Sequence, residues 1–410
     1  MKSPLLLFVG VCACADPLLA PEDTGESDPP APLQPGIPEP EACDFGATNP
    51  STLVVTTTDF ATGAVTIVDA DGTIRTDVAV GSPDAIPYPS PTGAAIVHRH
   101  GYDFVDLLDA GAWRSRGQHA LEAQDAPSPN PHAIAFDEDG LGYVTLFGSS
   151  DLLVFDPSQP AGTSVLDTID LSPFADDDGR PEASTAVRCG ETLWVGVQRL
   201  DVPGGYTHVD EDMLVAVDLP TRVPWDFDPD TAGGQGVSLQ GTWLRQLRPN
   251  GEAPAAMYGL TTGIERIDLT GLESTWAVPP QAFAEVGATH HDQPLAFDVD
   301  DAGRWAWVAV YLPPEGTTAD CASDPQPCFD HAALFEVDLL AETPTLVPFG
   351  LPFQAVDRTV QRTGDTLWVG SRETEAPGLY AYDLATHPPS LVGGPFATGL
   401  PPYSLIGVEP

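Results

Sequence analysis

Residues 130–157, NPHAIAFDEDGLGYVTLFGSSDLLVFDP, read as three short strands separated by turns. An apolar run from His132 ends in the acidic turn Asp137-Glu-Asp-Gly140. A second run starts at Gly142, and a third, from Asp151, stops on Asp156. β-Branched and aromatic residues dominate the runs, as pleated and partly buried positions require. Gly140 supplies the positive φ of a tight hairpin.

The unit recurs about every 50 residues, a spacing typical of solenoids and propellers. Runs comparable to the one at Gly142 begin at Thr52, Ala94, Thr192, Ala255, Trp305 and Thr366. Their partners end on Asp69, Asp109, Asp218, Asp268, Asp338 and Asp383. Six of the seven pairs are preceded by a further strand, starting at Asp84, His132, Glu182, Thr242, Pro294 and Ala355. The pair at Thr52 has none, and the chain's tail, YSLIGVE from Tyr403, supplies a spare one. This pattern predicts an all-β chain: a seven-bladed β-propeller of four-stranded sheets over residues 44–410. The C-terminal strand pairs into the N-terminal blade, so no long edge stays open. A pair of β-sandwiches would not predict one missing and one spare strand. The seven terminal aspartates are expected to cap turns.

Segments 130–157 and 82–110 resemble the bacterial YVTN-type propeller repeat, with Tyr143-Val144-Thr145 as the nearest local match. The resemblance spans about residues 50–410 and implies a lactonase-like propeller fold. Related propellers include lactonase-like enzymes and many surface proteins, so the fold leaves the activity open.

Composition supports the same class. The 410 residues include 44 Pro and 39 Gly, which argues against a helical bundle. With 16 basic against 60 acidic residues, the net charge is −44. Lys2 is the only lysine, so Schiff-base, pyridoxal and P-loop chemistry are excluded. So negative a field repels nucleic acid.

Residues 1–13 read as a signal peptide: a positive start, then an apolar run from Leu5 too short to span a bilayer. Ala13-Cys14 resembles a lipoprotein box, with Cys14 lipidated after cleavage. Residues 14–43, rich in proline and acid and free of bases, form a tether. The expected location is the cell envelope outside the cytoplasm, on the outer membrane, with the membrane contacted only through the lipid anchor. The chain is expected to be monomeric.

Four further cysteines allow three disulfide pairings. Cys321–Cys328 closes the shortest loop and would leave Cys43 to Cys189, pinning the tether to the fourth sheet. A zinc site would be expected to show a C-x-x-C pair, and none is present.

A propeller binds ligands on the rim shared by the loops between sheets and those between second and third strands (a fold-level analogy). That geometry places His98, His100, His132, Glu182, Arg199, His208, His291, Asp292 and Arg372 on one rim. Of these, His100, His132, Glu182, Arg199, His291, Asp292 and Arg372 are the candidate ligand-binding residues at the channel mouth, for a small molecule or a protein. His98 and His100, two apart on a strand, could join His132 around a transition metal. The loop 175–182 carries Asp176, Asp178 and Glu182, hard oxygen ligands suited to calcium. No G-x-S-x-G, H-E-x-x-H or G-x-G-x-x-G motif occurs. The expected role is a binding scaffold acting through the rim. The alternative is a metal-dependent, lactonase-like hydrolase working at the channel mouth.

Overall fold

A computed structural model describes residues 33–39, 41–46, 50–123, 128–202, 205–251, 255–288, 294–312, 331–355 and 358–409. Cys14, His291, Asp292, Cys321 and Cys328 lie outside the described residues, as do the signal peptide and most of the tether.

The architecture is an all-β propeller. The first sheet orders Pro402–Val408, Thr52–Thr58, Gly63–Val68 and Ile74–Gly81. The second runs Ala85–Ser90, Gly93–His98, Phe104–Asp109 and Arg114–Ala120. The third runs Pro131–Phe136, Gly142–Leu146, Asp151–Phe155 and Val165–Asp170. The fifth, sixth and seventh follow the same up-and-down order, led by Gln246–Pro249, Ala296–Val299 and Val360–Thr363. All pairings in these six sheets are antiparallel hairpin neighbours, apart from Pro402–Val408 against Thr52–Thr58, which places Ile406 opposite Val54.

The expectation of uniform four-stranded sheets needs one correction. Among the described residues six sheets have four strands, the fourth has seven, and Leu200–Asp201 pairs with Thr207–His208 in a separate two-stranded ribbon. The fourth sheet's own path is Ala183–Cys189, Thr192–Val197, Met213–Asp218 and Val223–Asp226. Two pieces of the tether add to it: Gln34–Pro35 runs parallel to the outermost strand, and Cys43–Asp44 runs antiparallel along the innermost. Val237–Ser238 is the third addition. The tether thus folds across this sheet from its outer to its inner edge. A Cys43–Cys189 disulfide fastens it, as one of the expected pairings had it.

The core sits between sheets rather than within them. Every hydrophobic cluster spans at least two neighbouring sheets, and the one around Ile86 and Ile134 also takes in Tyr403 of the first. Leu152, Val154 and Phe174 meet Leu193, Val195 and Val215 between the third and fourth. Leu53, Val55, Val68 and Leu405 meet Leu379 between the first and seventh. The innermost strands follow one another in the same order, from Pro402–Val408 to Ala85–Ser90, onward to Val360–Thr363, and from there back to Pro402–Val408. Outermost strands are mostly exposed, as in Ser390–Phe396.

Local chemistry explains the hairpins. Asp109, Asp156, Asp218, Asp268, Asp338 and Asp383 each accept a backbone N–H from the following turn. Asp69 departs from this and pairs with Arg75. Gly303 turns with φ +65°, and a Cβ there would lie 2.6 Å from the nitrogen of Gly251. Only glycine fits that hairpin crossing.

Candidate functional site

Asp84 stands immediately before the first strand of the second sheet, and Arg99 and His100 immediately after its second strand. The three residues therefore share one end of the channel. Arg99 Nε donates to Asp84 Oδ1 at 3.0 Å, and its guanidinium makes a second, shorter bond to the same oxygen. The Tyr403 hydroxyl donates to Asp84 Oδ1 at 2.6 Å, and His100 Nε2 lies 3.0 Å from Asp84 Oδ2. Burial alone would raise the Asp84 carboxyl. The charge and hydrogen bonds of Arg99, the Tyr403 hydroxyl and the charge of His100 outweigh it and hold it below the ordinary value. Because Tyr403 belongs to the C-terminal strand, this cluster ties the end of the chain to the second sheet.

His100 takes a positive φ of 51° and turns its backbone N–H onto Asn130 Oδ1 at 3.1 Å. Asp103 holds the next loop by accepting from Asn130 N and Ser128 Oγ, each at 3.2 Å. Beside this scaffold lies an open groove of about 350 Å³. Its walls are His100, Asn130, Phe147, Gly148, Arg180 and Tyr206, drawn from loops of three successive sheets.

His132 stacks on Phe147, with ring centres 4.5 Å apart, behind the groove wall. Burial, reinforced by the charges of Arg99, His100 and Arg358, pushes it well below the ordinary imidazole range. It is therefore neutral at physiological pH. His98 departs from the expected rim position. The strand ends at His98, so the two-residue alternation does not extend to His100. His98 is fully buried, stacks on Phe104 at 3.9 Å and accepts from Ser82 N. Burial lowers its pKa to about 4.

Arg199 and Arg372 reach the rim but fasten loops. Arg199 donates to the Glu211 carbonyl at 3.0 Å and lies 3.5 Å from Asp210 Oδ2. Arg372 donates to the carbonyls of Thr58, Pro401 and Pro402, joining the seventh sheet to the first. Asp176 and Asp178 spend Oδ1 on the N–H groups of Asp178 and Arg180 within their own loop. Among the described residues, no group of three or more His, Cys, Asp or Glu side chains converges to hold a metal.

Glu182 is fully buried, with Oε2 accepting from Leu200 N at 2.9 Å. Burial, with Asp178 and Asp176 nearby, raises its pKa to about 8. Between the unfolded value of 4.5 and about 8, the folded chain keeps a proton that the unfolded chain has lost. Stability from this group is therefore full below pH 4.5 and declines as pH rises to 8. Glu182→Gln should unfold like the parent at pH 4.5 and be more stable at pH 8, by on the order of 3 kcal/mol. Urea midpoints at the two pH values measure this, and an equal effect at both would refute it.

Sequence reasoning also missed a second pair. His208 Nδ1 lies 3.1 Å from Asp212 Oδ1, and Asp212 Oδ2 accepts from Leu244 N at 2.7 Å. Burial raises Asp212 to about 6 despite His208. The imidazole meets Trp243 edge to face, beside a shallow cavity that Arg199 also lines. An Asp four residues after a rim histidine was visible in the sequence, but the acid content hid it.

No family model matches the chain, and no curated protein does. Solved structures do. A functionally unknown protein from Desulfotomaculum acetoxidans superposes with TM-score 0.56 at 10% identity, covering 88% of this chain and 99% of that one. A periplasmic gluconolactonase from Pseudomonas aeruginosa superposes with TM-score 0.54 at 14% identity, covering 87% and 98%. At such identities the likeness speaks for the fold alone, and that fold is a lactonase-like β-propeller.

Proposed function

We propose that the chain is a lipid-anchored envelope protein outside the cytoplasm whose propeller binds a ligand through the loop-rich rim. In this reading the seven-stranded fourth sheet counts as one blade, making seven in all, and the C-terminal strand closes the ring. The observation that carries the binding role is the groove between His100 and Tyr206. Aromatic walls with a few fixed polar groups are what recognition of a small molecule or a protein segment needs. Asn130 and Arg180 supply the polar groups, while Phe147 and the 47%-exposed Tyr206 supply apolar faces. The groove's own titratable side chains are His100, Arg180 and Tyr206, and they include no carboxylate.

The test is an immobilised glycan and peptide array read with the parent and with Tyr206→Ala/Arg180→Ala. Hits lost by at least tenfold in the variant support the groove. Hits that persist undiminished contradict it.

The His208–Asp212 pair favours a second reading, hydrolysis of a lactone-like ester. A buried carboxylate 3.1 Å from an imidazole is a pair from which general-base catalysis can be built. One similar structure is a gluconolactonase. A pH-stat assay with glucono-δ-lactone decides this reading: turnover abolished by His208→Gln supports it, and no turnover above buffer refutes it.

A further inference from the structure

A cavity of about 480 Å³ lies at the end of the channel opposite the rim groove. It opens where the innermost strands of the first five sheets end, at Glu409, Ser90, Asp137, Arg188 and Arg248. The size falls within the roughly 300–1,000 Å³ of small-molecule sites. The sixth and seventh sheets are drawn together beside it. There Asp298 accepts from Arg248 Nε at 2.9 Å, Gln361 Nε2 at 3.0 Å and Arg362 N at 2.6 Å. The tether supplies part of the wall: Asp44, Phe45 and Gly46 line the cavity, next to the Cys43–Cys189 disulfide.

Two observations decide what such a cavity suits. The first is apolar surface. Phe45, Phe136 and Ile406 each pack on one side against a core cluster, yet all three stay half-buried. They come from the tether, the third sheet and the first, and all three line this cavity. Apolar surface gathered from separate parts of the chain and left uncovered in one concave place marks a ligand site.

The second observation is that the charged groups lining the cavity are engaged with the protein itself. Arg188 pairs with Asp44 at 3.2 Å and Glu138 at 3.3 Å, and Arg248 with Asp298. Arg358 donates to the Arg245 carbonyl at 3.3 Å and lies 4.9 Å from the centre of the Tyr88 ring. Asp44 also accepts from Gly46 N at 2.9 Å. Asp137 accepts from Leu141 N at 2.8 Å and from the Tyr143 hydroxyl at 3.2 Å. A charged ligand would compete with these contacts and leave a displaced partner unsatisfied, a cost that an uncharged ligand does not meet.

We propose that this lower cavity binds a small uncharged organic molecule with an apolar body. The body lies against Phe45, Phe136 and Ile406, and its burial removes apolar surface from water on both sides. Molecules with the same body and an ionised head, of either sign, are rejected by the existing charge pairs. The site shares no residue with the rim groove and stands or falls separately.

The experiment is calorimetric titration of the full purified chain with octanol, octanoate and octylamine, which share a body and differ in head-group charge. It is run at neutral pH in about 0.5 M salt, which screens the acidic surface. Octanol should bind at least tenfold more tightly than either ion. Phe45→Ala, which removes an apolar wall, should weaken octanol at least threefold. Ala135→Phe, which narrows the cavity, should abolish binding in protein that keeps its cooperative melt. Tyr206→Ala, in the rim groove, should leave octanol binding unchanged. No octanol binding at millimolar concentration, equal binding of the three probes, parent-like binding by Phe45→Ala or Ala135→Phe, or loss of binding in Tyr206→Ala would overturn the proposal.

Discussion

Replacing Cys43 with serine should lower the unfolding free energy by about 5 kcal/mol, because the disulfide closes a very long loop. Cys43 and Cys189 are separated by 146 residues. Cutting that link releases the unfolded chain far more than the folded one. The folded state also loses part of the tether's attachment: the Cys43–Asp44 pairing, the Asp44–Arg188 ion pair and the Glu41 bond to Glu191 N. Cys189→Ser should cost the same, and the double replacement no more than either single one. That non-additivity distinguishes a lost bond from two local packing defects. Urea denaturation of the three variants measures it, and a loss under about 1 kcal/mol would refute it.

Asp84→Ala should cost about 3–4 kcal/mol, since it leaves partly buried Arg99 without its carboxylate. Arg99 and Asp84 side chains are 14% and 18% exposed. The same replacement removes the acceptor of the Tyr403 hydroxyl and frees His100. The pH dependence has a definite sign. The folded carboxyl titrates below its ordinary value of 3.8, so its contribution is fully present above that value. It is lost as pH falls through the lower folded value. Thermal melts should therefore separate parent from Asp84→Asn widely at pH 7 and converge towards pH 3. A constant gap would contradict the assigned pairing.

The repeat was legible because middle strands are buried on both faces and read as unbroken apolar runs, as in Gly63–Val68 and Thr192–Val197. The outermost strands escaped notice because they are exposed and unpatterned; Arg114–Ala120 reads RSRGQHA. The innermost strand of the fifth sheet is shorter than its apolar run suggests. Gln246–Pro249 starts four residues after Thr242, beyond a positive φ of 65° at Trp243. The turn-borne position of His100 followed from strand and loop order. The link from Asp84 to Tyr403 did not, because the two residues are 319 positions apart in the chain. The tether's return across the fourth sheet was equally hidden: residues 33–46 carry too few apolar side chains to announce strands, and the attachment is made by backbone pairing, one disulfide and the polar contacts of Glu41 and Asp44.

The proposed closure of the ring is tested most directly by a cross-link between the two strands that would join it. Val54 and Ile406 are paired across neighbouring strands. In Val54→Cys/Ile406→Cys, mild oxidation should form an intramolecular disulfide, identified by peptide mass spectrometry, in protein that keeps its cooperative melt. A folded variant whose new cysteines stay free, or join only between molecules, would contradict the closed wheel and the placement of every rim residue derived from it.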